Sequence, residues 1–359
     1  MTRFDYIDFA KGYAIFSIVC YHALQRLDLP PLGQQAIVFG GTGVHLFFLL
    51  SGFGLGLARP FVSPAAFYQR RLVKIWLPYV LALTLSWLAA LAFGLFPDGF
   101  EAWLAGAGLY QMFSEKYIEA FGGHFWFISA IIQFYAVYPA LVWAREKLGN
   151  ARFLAAAMAL SLAWWLAVSA LGKGDLRTWN SFFLQFLWEF ALGMVLADRV
   201  RKAGPDTPGG QAGLREGIFW NYPWYSYLPA GLLFASVMVL AILKLGETGR
   251  VFNDIPALLG YTALSVFVYR AGELYLPPLE RFFRWVGGFS FSLYLVHILV
   301  LEAWLLGLRW FGLPASAWSI LPFFPLALLA GRVFEVLSRK WTGFFGAGQK
   351  TEVTIKTEP

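Results

Sequence analysis

Apolar runs of about twenty residues recur along the chain, separated by short polar stretches. A run of that length crosses a hydrocarbon core of about 30 Å as a helix. The pattern predicts ten spans, at 6–26, 36–57, 75–96, 124–144, 152–171, 180–197, 225–244, 252–270, 285–307 and 317–338. The sixth is the weakest, because Asn180, Gln185 and Glu189 interrupt it. Residues 101–113 predict a short interfacial helix. Alternating segments of about ten residues, the mark of a membrane β-barrel, do not occur. The expected fold class is an all-α integral membrane protein with about ten transmembrane helices. Residues 1–345 form the membrane domain, and the polar tail 346–359 is expected to be disordered and cytoplasmic.

Composition agrees. The chain of 359 residues is 59% hydrophobic and 14% charged, against about 25% charged in soluble proteins. The charge is placed unevenly. If the N-terminus faces the cytoplasm, the outer loops hold only Arg26, Lys116, Lys173, Arg177, Lys244, Arg250 and Arg309. Lys11 and Arg332 lie within spans, and every other Lys and Arg is cytoplasmic. Basic residues collect on the inner side, so both termini are expected inside. The net charge of +7 is thereby explained by orientation and needs no nucleic-acid partner. A single cysteine, Cys20, excludes an intrachain disulfide and a cysteine-based zinc site. Asp5, Asp8 and Lys11 crowd the start of the first apolar run, and no small-residue cleavage site follows it, so no cleaved signal peptide is expected. The Gly- and Pro-rich stretch 203–213 reads as a flexible cytoplasmic loop.

Ionisable residues inside spans are costly and mark function. The first span carries two. Lys11 and His22 are eleven residues apart, just over three helical turns, so they share a face about 16 Å long. Counting inward from span ends places His45 and His297 near the midplane and His22 somewhat further out, so these three are expected to meet. His124, beside Trp126, is expected at the outer interface. A neutral imidazole suits proton abstraction from a hydroxyl. No His pair has i, i+4 spacing, so no metal site is expected. Arg70, Arg71 and Lys74 precede the third span. Arg71 and Lys74 at i, i+3 face one way, and arginine forks match phosphate oxygens. Such a cluster also arises from orientation alone. The glycines at 40, 41 and 43, closed by Ser51-Gly52-Phe53, allow close helix packing. Glu189 and Glu302 are further charges within spans. Arg332 and Glu335 are expected to pair.

These residues together resemble the membrane-bound acyltransferase-3 family over nearly all of residues 5–338. Asp8-x-x-Lys11-Gly12 with His22 resembles its opening motif of a basic residue and a histidine, with lysine here where arginine is usual. Gly40 to Phe53 resembles its glycine-rich second span, with His45 where an acidic residue is usual. Phe67 to Tyr79 resembles its basic motif. Trp126-Phe127-Ile128-Ser129 with Gln133-Phe134-Tyr135 resembles its fourth span, with Ile131 and Ile132 in place of glutamates. Ser290 to His297, through Tyr294, resembles its ninth-span motif.

The resemblance implies an integral membrane O-acyltransferase of the bacterial inner membrane. It would move an acyl group, acetyl by family habit, from cytosolic acyl-CoA to a glycan or glycolipid hydroxyl. His22 would be the general base, or would first take the acyl group itself, with Lys11 beside it. Arg70, Arg71 and Lys74 would hold the donor's phosphates. Asp8, His45, Trp126, Glu189, Tyr294 and His297 are further candidates. The donor is a substrate, and no tightly bound cofactor is expected. A transporter or flippase, with Lys11, His22 and Glu189 lining a pathway, is the competing expectation. The lack of visible internal repeats counts against it.

Overall fold

A computed structural model describes residues 5–58, 63–97, 99–203 and 222–346. The described residues are all-helical, without strands. The expected loop at 204–213 and the tail at 347–359 lie outside them.

The chain runs through α1 (Asp5–Leu24), α2 (Pro31–Gly41), α3 (Gly43–Leu57), α4 (Pro64–Arg71), α5 (Leu77–Phe93), α6 (Phe100–Ala107) and α7 (Trp126–Ala170). It continues through α8 (Arg177–Asn180), α9 (Leu187–Ala203), α10 (Tyr227–Leu245), α11 (Glu247–Val251), α12 (Asp254–Tyr275), α13 (Pro277–Gly287), α14 (Ser290–Trp310), α15 (Ala317–Ile320) and α16 (Phe323–Gly346).

Among the described residues, seven helical stretches are long and apolar enough to cross a bilayer: Ala36–Leu57, Pro64–Phe93, Trp126–Ala170, Arg177–Lys202, Trp224–Leu245, Ser290–Trp310 and Ala317–Phe344. The protein is thus a multi-pass helical membrane protein. Three of the ten expected spans are not among these seven as separate crossings. Helices α1 and α12 are 20 and 22 residues long, but α1 carries Asp5, Asp8 and Lys11, and α12 carries Asp254, Arg270 and Glu273. The 45-residue α7 holds two expected spans. Gly149, at φ 75° and ψ 162°, breaks it, in a left-handed region that glycine enters without steric cost.

The sixth expected span is interrupted where its polar residues fall. A short α8 is followed by a 3₁₀ turn at Phe183–Phe186 and then α9. The interfacial helix expected at 101–113 is α6 followed by a 3₁₀ turn at Gln111–Phe113.

Without a hydrophobic force between helices in lipid, close packing depends on small residues. Two crossings show it. A Cβ at Gly52 would overlap the Phe190 carbonyl, and one at Gly193 would overlap the Leu49 carbonyl, so α3 and α9 touch backbone to backbone. Gly12 meets the Phe283 carbonyl and Gly287 meets the Asp8 carbonyl, which docks α13 onto α1. The expected Arg332–Glu335 pair does not form. Arg339 on the next turn donates to Glu335 at 2.6 Å, Ser292 donates to its other oxygen, and Arg332 lies over the Phe289 ring.

Candidate active site

Three histidines converge, but not the three expected. His297 on α14 stands between His22 on α1 and His124, with ring centroids 5.1 Å from each. His45 is elsewhere, and His124 takes its place. Far from being interfacial, His124 is 3% exposed and His297 is 0% exposed. The segment before α7 folds inward through Phe121, Gly122 and Gly123, all at positive φ. That turn carries His124 under α14, where its backbone carbonyl accepts a hydrogen bond from the Tyr294 hydroxyl.

Hydrogen-bond partners fix the tautomers of the neutral rings. His297 Nδ1 faces the Tyr294 carbonyl at 2.7 Å. A carbonyl only accepts, so Nδ1 carries the proton and Nε2 is left as an acceptor. That Nε2 lies 3.2 Å from His22 Nδ1, which also faces the Ile18 carbonyl at 3.0 Å. His22 Nδ1–H therefore donates to both, and His22 Nε2 holds the free lone pair. His124 Nε2–H donates to the Leu295 carbonyl at 3.3 Å, and its Nδ1 is buried without a partner. The cluster thus leaves His22 Nε2 with an open lone pair on a ring held from behind.

The wall is aromatic and polar. Tyr294 lies 5.7 Å from both His124 and His297. Arg177, which the sequence reading placed in an outer loop and gave no role, stacks over Trp126 at 5.4 Å and lies within electrostatic reach of His22 and Tyr294. Arg26, also within reach of His22, is bound to Glu302. Gln111 was missed as well. It is 1% exposed and donates to Tyr79 Oη at 3.1 Å and Ser129 Oγ at 2.9 Å.

At the other end of α1, Lys11 comes within electrostatic reach of Lys74, as do Arg71 and Glu335. Lys74 thus sits among two further cations and one carboxylate, a net positive field that attracts anions. Arg71 stands over the rings of Phe67 at 5.6 Å and Tyr135 at 5.7 Å, and its Nε is buried without a hydrogen-bond partner. Arg70 is exposed. The expected i, i+3 alignment of Arg71 and Lys74 is altered, because Leu72–Trp76 forms a π turn, a distortion frequent at functional sites. Asp8 is half-buried on α1, with its carbonyl against Gly287.

The remaining candidates form a separate cluster. His45 Nδ1–H donates to Glu189 at 2.7 Å, and His45 Nε2 lies 4.0 Å from Asp254. Glu189 is therefore engaged with His45, and the transporter reading, which set it beside Lys11 and His22, gains no support.

A basic cluster thus stands at one end of α1 and a histidine cluster at the other, with buried Ile15 and Ile18 between them. The chain belongs to the acyltransferase-3 family, whose model, described as an acyltransferase domain, matches residues 4–337. It is a membrane acyltransferase. Searches among curated proteins and among solved structures found no match.

Proposed function

We propose that the protein transfers an acetyl group from cytosolic acetyl-CoA to a hydroxyl of an extracytoplasmic or lipid-linked glycan. It does so as a ten-span protein of the bacterial inner membrane with both termini inside. The observation that carries this reading is the orientation of His22. Its Nδ1 proton is held by Ile18 and His297, which leaves Nε2 to accept a proton.

Acyl-CoA brings phosphates and a long, thin pantetheine arm. The phosphates suit Arg71 and Lys74, and the arm follows α1 past Lys11 toward His22. The acceptor oxygen attacks the thioester carbonyl carbon while His22 Nε2 takes the hydroxyl proton. The C–S bond then breaks, and the leaving thiolate recovers that proton from the imidazolium. General-base assistance of this kind contributes about 10²–10⁴-fold, and holding donor and acceptor together supplies further acceleration. Arg177, a cation near the histidines, suits the developing oxyanion.

The test is mass spectrometry of surface glycans from cells making the wild-type chain or His22→Ala at equal membrane levels. The acetyl increment is expected with wild type and lost with the variant. An undiminished increment in the variant contradicts the role of His22.

A further inference from the structure

We propose that His45, Glu189 and Asp254 bind a divalent first-row transition metal of the zinc class, and that this ion ties α3, α9 and α12 together. Local residue spacing gives no sign of this site. These three donors come instead from positions 144 and 65 or more residues apart, joined only by the fold.

One donor atom from each residue lies within 4.8 Å of the other two. All three residues are buried, at 7%, 0% and 3% exposure. Ligands at Zn–N and Zn–O distances of about 2.0–2.2 Å stand about 3.4 Å apart in a tetrahedron, a spacing within the 4.8 Å that bounds these donors. An imidazole with two carboxylates suits zinc and its first-row neighbours.

Two further observations point to a ligand. Glu189 Oε2 is buried without a hydrogen-bond partner, and so is Gln185 Oε1. Two carboxylates buried this deeply are costly unless a cation compensates them. Gln185 Nε2 donates to Asp254 Oδ2 and to the Val251 carbonyl, each at 2.8 Å. It thus orients Asp254 as outer-shell partners orient metal ligands. Its unpartnered Oε1 offers a further donor.

The ion's place connects it to the active site without entering the reaction. His45 packs 5.7 Å from the Phe186 ring, and Phe186 lies 5.9 Å from Trp126. Metal binding would hold the wall on which Trp126 and Arg177 rest.

The experiment is elemental analysis of full-length protein purified in detergent without a metal-affinity tag, with thermal melts in chelator and in added Zn²⁺. About one equivalent of metal per chain is expected in the wild type and in His297→Ala, and less than a tenth in Glu189→Gln and Asp254→Asn. Chelator should lower the wild-type melting temperature, and Zn²⁺ should restore it. If the two variants fail to fold, X-ray absorption of the wild-type metal decides, with a nitrogen-and-oxygen shell near 2.0–2.2 Å expected. Metal-free wild-type protein whose melt ignores both chelator and Zn²⁺ overturns the proposal. So does equal metal in folded wild type and variants.

Discussion

At the scale of single residues, the account turns on which nitrogen carries which proton. His297 does not face substrate through its Nδ1, which is occupied by the Tyr294 carbonyl. Its part is to accept from His22 and hold that ring in one tautomer. Replacing His297 with Phe removes the acceptor and should lower kcat about 10–100-fold with little change in KM for acyl-CoA, the range seen when an orienting partner is lost. Glutamine keeps an acceptor and should recover part of the loss. Steady-state kinetics of the two variants separates positioning from mere packing, since a packing role predicts similar loss in both. His22 and Lys11 were legible because charge inside an apolar run stands out. His124 was not, since counting from a helix end assumes a straight path. The signal that existed was Gly122-Gly123 just before it, two glycines suited to the left-handed turn the structure contains.

At the scale of elements, glycine decides which helices touch. The α3–α9 crossing leaves no room for a side chain at Gly52. Gly52→Val should overpack it and cost about 1–3 kcal/mol, read as a lower melting temperature in detergent. Val at Gly54, which has open space around it, should melt near wild type. The glycine-rich pattern of the second span was readable, and its packing role follows from the structure. The broken sixth span was readable too, as a weakness. What the pattern did not reveal is that Gln185 and Glu189 break the apolar run because α3 and the start of α12 supply their partners. Likewise, a regular helix was expected through Arg71 and Lys74, and the π turn that replaces it leaves no mark in residue spacing.

At the scale of the molecule, the membrane class was plain from apolar runs alone, while the number of crossings was harder to read. Charged α1 and α12 and the fused α7 blur it. The proposed topology makes Lys116 extracytoplasmic and Lys147 cytoplasmic, and both side chains are exposed. In a Cys20→Ser background, Lys116→Cys should react with a membrane-impermeant maleimide in intact cells. Lys147→Cys should react only after permeabilisation, and the reverse pattern would invert the orientation. The same topology sets the basic cluster and the histidines at opposite ends of α1, about 16 Å apart along its axis. In the proposed mechanism, that separation lets a donor held by its phosphates on one side deliver its thioester deep in the bilayer.

The most direct test of that arrangement is steady-state acyl transfer by the purified protein in nanodiscs, with wild type, His22→Ala and Arg71→Ala compared. Loss of transition-state stabilisation lowers kcat, whereas loss of uniform donor binding raises KM. His22→Ala should lower kcat at least 100-fold with KM for acyl-CoA nearly unchanged, and Arg71→Ala should raise that KM about tenfold with kcat largely kept. Near-wild-type turnover by His22→Ala would contradict that arrangement.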